Sequence, residues 1–92
     1  MVNKNLPFTE KRTLNKSVRT FTESTNSDEF KWHQDDEDRF VIPLHSTDWY
    51  VQLDNQLPVK LVEGRGVYIP KDVWHRVIKG SGNLQVEINF IL

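Results

Sequence analysis

The residues of this chain whose types and spacing could do chemistry gather at two Trp-His pairs, Trp32-His33 and Trp74-His75. The first continues as His33-Gln34-Asp35, and the second closes the run Gly64-Arg65-Gly66-Val67-Tyr68-Ile69-Pro70-Lys71-Asp72-Val73-Trp74-His75. Two imidazoles and a carboxylate with coordination positions left open are the protein ligands of non-haem iron oxygenase sites, and imidazole also suits zinc, nickel and copper. Such a centre exists only if the fold brings these distant segments together.

At 92 residues the chain is expected to form one domain. A chain of this size buries only about 60 to 70% of the surface its unfolded form exposes, so packing must be economical. The absence of cysteine excludes a disulfide framework and a thiolate zinc site. The polar start lacks the apolar run of a signal peptide, and no stretch approaches the roughly 20 apolar residues of a membrane span. A cytoplasmic protein without membrane contact is the expectation. With a formal net charge of −1 there is no global basic field of the kind a nucleic-acid binder uses, and no such partner is expected. Charge is uneven locally: Lys4, Lys11, Arg12, Lys16 and Arg19 are followed by Asp28, Glu29, Asp35, Asp36, Glu37 and Asp38. These read as solvated surface and a mobile arm, with a basic arm touching a partner as the alternative.

The elements that must position the histidines are strands. Residues 1 to 16 show no apolar periodicity and contain Pro7, so they read as an arm or an edge segment. Ser17 to Glu23 alternates loosely and is rich in Val, Thr and Phe, predicting a first strand, and Phe30 to His33 predicts a short second one. Arg39 to Leu44 reads as a third, with Pro43 tolerated at an edge, a bulge or near a strand end. Trp49 to Leu53 reads as a fourth. The turn composition of Asp54-Asn55-Gln56 then sets Val51 and Val59 on antiparallel neighbours of a hairpin. Val67 to Ile69 and Trp74 to Ile78 follow as short strands on either side of Pro70-Lys71-Asp72. After Gly80-Ser81-Gly82-Asn83, the residues Leu84, Val86, Ile88, Phe90 and Leu92 alternate with Gln85, Glu87 and Asn89, a period of two with one buried face. No segment carries helical apolar spacing. The fold class is therefore all-β, with seven or eight short strands in a small barrel or double-sheet jelly roll whose closure removes exposed edges.

The second run resembles a pattern of the cupin family, G-x5-P-x-G-x2-H-x3-N. Gly64, Pro70 and His75 take its glycine, proline and histidine positions, while Asp72 stands at the second glycine and Lys79 at the asparagine. The family's first pattern, G-x5-H-x-H-x3,4-E-x6-G, is met by His33 at the first histidine. Asp35 falls on the second, Ser27 and Ser46 on the glycines, and Arg39 or Phe40 on the glutamate. A shifted register would put Lys31 first, His33 second, and Glu37 or Asp38 in the glutamate role. Residues i and i+2 of a strand share a side, which favours the first register, and the ammonium of Lys31 would repel a metal. A bulge could still swing Asp38 inward.

The resemblance implies a small cupin-type double-stranded β-helix, of the RmlC-like kind, over residues 17 to 92, preceded by a poorly ordered or edge-strand arm over residues 1 to 16. It implies a divalent transition metal (iron, manganese, zinc or nickel) on His33, Asp35 and His75, with Asp38 and Glu37 in reserve. Dioxygenase or isomerase chemistry on a small polar molecule would fit the family. The His-x-Asp and distant His also resemble the iron pattern of 2-oxoglutarate oxygenases, although Gln85 stands where those enzymes carry a cosubstrate-binding arginine. The alternatives are a non-catalytic barrel that binds a sugar or carboxylate, and a dimeric interaction module. Candidate pocket residues are Tyr50, Gln52, Tyr68, Arg39 and Trp74, while His45 is expected at the surface without a partner. Apolar residues left on the outer face, such as Ile91, lead to the expectation of a homodimer.

Overall fold

The structure is a computed structural model, and it describes residues 8–22 and 28–91. Leu92 and residues 1–7 of the expected arm lie outside the described residues. The described residues form eight strands: β1 Phe8–Arg12, β2 Lys16–Phe21, β3 Asp38–Pro43, β4 Tyr50–Leu53, β5 Val59–Lys60, β6 Val67–Ile69, β7 His75–Ile78 and β8 Leu84–Ile91. They form a five-stranded sheet in the order β1-β2-β8-β3-β6 and a three-stranded sheet in the order β5-β4-β7. Part of the expected arm is thus the edge strand β1, zipped onto β2 from Phe8↔Phe21 to Arg12↔Ser17. Among the described residues no helix is long and apolar enough to cross a membrane.

Side-chain alternation builds the interior. β8 lies between β2 and β3, and its Leu84, Val86, Ile88 and Phe90 all point into the core. They meet Phe21 of β2, Ile69 of β6, and Val51 and Leu53 of β4. The hairpin expected around Asp54-Asn55-Gln56 forms with Val51 opposite Val59, and Asn55 takes a left-handed conformation at φ 59°. Asn tolerates that region better than most residues. Trp49 is fully buried between Phe21 and Phe30, and its indole N–H donates to the carbonyl of Ser81 at 3.3 Å. Gly80 makes this closure possible: a Cβ there would lie 2.3 Å from Asp48 Oδ1 and 2.7 Å from the Trp49 ring.

Two expectations need correction. Phe30 to His33 is not a strand: Asp28–Phe30 forms a single 3-10 turn, and His33 makes one isolated bridge. The segment lacks alternating apolar residues, and Phe30 leaves it to pack on Trp49. His45 also has partners, because its Nε2 accepts from the backbone N–H of Gln85 at 2.9 Å and its Nδ1 lies 2.8 Å from the Ser46 carbonyl. Here the imidazole pins the segment after β3 to the start of β8.

Candidate metal centre

Backbone geometry brings the two histidines together. His33 and His75 exchange both backbone hydrogen bonds, at 3.0 and 2.9 Å, as a one-rung antiparallel bridge. Residues directly opposite across such a rung project to the same side. The imidazole centroids accordingly lie 4.3 Å apart. Their neighbours Trp32 and Trp74 face outward, where the Arg76 guanidinium sits 4.9 Å from the centre of the Trp32 ring. Asp35 follows His33 by two residues and faces the same side, as the first register requires. Candidate ligand atoms from His33, Asp35 and His75 all lie within 4.8 Å of one another.

The turn after β6 fixes the third donor. Asp72 has φ 64°, so the position where the resemblance expects glycine does adopt the left-handed conformation. Its backbone N–H donates to the Asp35 carbonyl at 2.8 Å, and its carbonyl accepts from Gln34 Nε2 at 2.8 Å. A third bond runs from the Lys71 N–H to Asp38 Oδ1 at 2.8 Å. The loop that delivers His75 is thereby stitched to the segment that carries Asp35.

The imidazoles are prepared for coordination. Each Nδ1 lies 2.8 Å from a carbonyl two residues back, that of Lys31 for His33 and of Val73 for His75. A carbonyl only accepts, so Nδ1 carries the proton and Nε2 of the neutral ring presents a lone pair. Yet His33 Nε2 lies 2.9 Å from Glu29 Oε2, and His75 Nε2 lies 3.0 Å from Asp35 Oδ2. A lone pair facing a carboxylate is repulsive unless a proton or a metal lies between them. With the ring protons on Nδ1 neither contact is a hydrogen bond, and His33 Nε2 and Asp35 Oδ2 are then buried without a partner. Such orphaned atoms are rare and call for an explanation. Two imidazole nitrogens and a carboxylate oxygen suit a first-row divalent metal, which would take them at about 2.0 to 2.2 Å. The residues present fit the ion.

The charged surroundings follow the same pattern. Burial pushes the Asp35 carboxyl up, but His75 and the Arg39 guanidinium outweigh it and hold the group below its ordinary value. Burial likewise raises Glu29, and His33 and Arg19 reverse the direction. For His33, burial favours the neutral ring, while Glu29 and the Lys31 carbonyl prevail and raise its pKa. Glu29, on the 3-10 turn, is the neighbour that sequence reasoning missed. It sat in an acidic run with no periodicity to mark which carboxylate would turn inward.

The remaining candidates separate cleanly. Glu37 pairs with Arg39 at 2.7 Å and Asp38 is held by the Lys71 N–H, so neither reserve carboxylate joins the cluster. Arg39 is 6% exposed and lines the cavity between the sheets together with Arg19, Glu29 and His75. Tyr50, Gln52, Tyr68 and Trp74 are absent from that lining. Strand parity is the reason: Val51, Leu53, Ile69 and His75 point in, so their neighbours point out. On the outer face Tyr68 meets Phe40 with ring centroids 5.2 Å apart, and Gln52 Oε1 accepts from Arg76 Nε and Nη2 at 3.0 and 2.8 Å.

No protein-family model matches the chain, and a search of curated proteins finds no match. Solved structures do match. A cupin domain from Bordetella pertussis Tohama I is 19% identical with a TM-score of 0.64, covering 99% of this chain and 100% of that one. An RmlC-like cupin with a double-stranded β-helix from Methanocaldococcus jannaschii is 14% identical with a TM-score of 0.66, covering 96% and 84%. The Fe(II) form of HppE with an alternative substrate is 18% identical with a TM-score of 0.60, and the match covers 83% of this chain and 41% of that one. Identities this low speak to architecture, and on that ground the chain has the RmlC-like cupin fold, a double-stranded β-helix.

Proposed function

We propose that this protein binds one divalent transition metal through His33, Asp35 and His75 and uses it on a small polar molecule. The observation that carries this reading is the convergence of buried donor atoms without hydrogen-bond partners, beside imidazoles whose Nδ1 atoms are already committed to carbonyls. The Fe(II) form of the HppE neighbour adds an iron-containing example on a similar scaffold. A metal held by three protein donors keeps positions open, and there it would supply Lewis acidity or a place for oxygen. Dioxygenase and isomerase chemistry both belong to this reading.

The protein's own contributions are positional. Asp72 and Lys71 hold the Asp35 segment, the carbonyls of Lys31 and Val73 hold the ring orientations, and Arg39 sits 3.4 Å from Asp35 Oδ2. That contact keeps the carboxylate ionised and ready to bind.

Metal analysis of tag-free protein tests the proposal. About one transition-metal ion per chain is expected, with loss of that ion in His33→Ala and His75→Ala. Sub-stoichiometric metal whose amount is unchanged in both variants would overturn it. Oxygen consumption and isomerisation assays on the loaded protein then separate an enzyme from a binder with the same centre.

A further inference from the structure

Between the two sheets lies a cavity of about 40 Å³ lined mostly by apolar side chains, including Val41, Val51, Leu61, Val77 and Leu84, with Arg19, Glu29, Arg39 and His75 also on its wall. An apolar cavity with a few polar groups on its wall fits an amphiphile with a small head and a short tail.

Arg39 identifies the head. Its Nη2 lies 2.7 Å from Glu37 and its Nη1 3.4 Å from Asp35, while its Nε is buried with no hydrogen-bond partner. The side chain is more than nine-tenths buried on the cavity wall, so water does not readily satisfy that N–H. A guanidinium N–H in such a setting calls for an acceptor oxygen, and a carboxylate is the acceptor it binds best.

We propose that the cavity takes a short-chain aliphatic monocarboxylate, its head between Arg39 and the metal position and its tail among Val41, Val51, Val77 and Leu84. This rests on the metal reading of the same site. The cavity is small, which restricts the tail to a few carbons.

The test is a calorimetric titration of metal-loaded full-length protein with acetate, propionate, butyrate and hexanoate, and with n-butanol and n-butylamine as head-group controls. Metal content is measured on the same sample. Affinity is expected to rise to butyrate and fall at least tenfold at hexanoate, with neither control binding comparably. Arg39→Lys keeps the charge but removes the Nε–H and should weaken butyrate about tenfold. Val77→Ala should move the length optimum upward and Val41→Leu downward, so one informative variant survives if another fails to fold. Equal binding of butanol or butylamine, or no length optimum in protein carrying one metal per chain, overturns the proposal. If the protein proves metal-free yet keeps the carboxylate preference and length optimum, the cavity assignment stands and the metal reading fails.

Discussion

The β4–β7 pair has two ends that treat polar groups in opposite ways. At one end, beside Trp49, each polar contact is made: Ser81 donates its N–H and hydroxyl to Asp48 at 2.9 and 2.7 Å, the Trp49 N–H reaches Thr47 Oγ1 at 3.0 Å, and the indole reaches Ser81. At the other end, where Leu53 pairs with His75, His33 Nε2, Asp35 Oδ2 and Arg39 Nε are buried without hydrogen bonds. The difference is that the first is complete within the chain, whereas the second is complete only with something added. Local disagreement with polar satisfaction inside an otherwise consistent fold is the physical mark of a functional site.

The comparison can be broken at either end. Trp49→Ala removes a fully buried indole and should lower unfolding free energy by about 3 to 5 kcal/mol in urea denaturation, leaving metal content per folded chain unchanged. A small loss would mean that this end is not the structural anchor. Next in size is the stabilisation from metal itself, about 2.7 kcal/mol when free metal is a hundredfold above its dissociation constant. His33→Ala should abolish that gain, and because it also removes the contact of Nε2 with Glu29 at 2.9 Å it should lower metal-free stability by about 1 to 3 kcal/mol. Thermal melts with and without added metal read both values.

A third case sharpens the contrast, since Glu10 is a partly buried carboxylate that is fully partnered. It accepts from the Ser17 hydroxyl and from Arg19 Nε at 2.8 Å. Burial pushes its pKa up, but Ser17, Arg19 and Arg12 together bring it below the ordinary 4.5. A folded value below the unfolded one means that its stabilisation is present above pH 4.5 and disappears as pH falls through the folded value. Glu10→Gln should therefore flatten the acid limb of the stability profile by up to about one proton, or about 1.4 kcal/mol per pH unit. An unchanged slope would remove Glu10 from the group of satisfied charges. The smallest effect belongs to Asp72→Gly. Relief of the left-handed conformation at φ 64° is offset by the entropy of glycine, so a gain of only a few tenths of a kcal/mol is expected by equilibrium denaturation.

How much of this was legible in the sequence depended on whether a residue belonged to a periodic element. The interior face of β8, the Val51↔Val59 pair and the position of His75 followed from alternation, turn composition and the Gly64 to Pro70 spacing. Asp35 followed from its i+2 relation to His33. Glu29 did not, because a 3-10 turn inside an acidic run has no period to read, and its orientation is set by Phe30 docking on Trp49. The outward position of Tyr50, Gln52 and Tyr68 was hidden for a different reason. Their strands are four and three residues long, too short for alternation to reveal which face is inside. Leu61 went unmarked as core although it is 2% exposed, because it lies just beyond β5, outside any alternating run.

The single rung between His33 and His75 has a consequence for how this fold can change over generations. Residues 33–37 pass from the edge of the three-stranded sheet to the start of β3 in the other sheet and belong to neither ladder apart from that rung. A substitution inside a ladder risks its register, whereas one in such a crossing disturbs only what the crossing holds. Donor can replace donor here while the scaffold persists. The chemistry at this corner is thus the most interchangeable part of the molecule, and an aspartate beside a histidine, with an arginine behind it, is one of several sets the same sheets could carry.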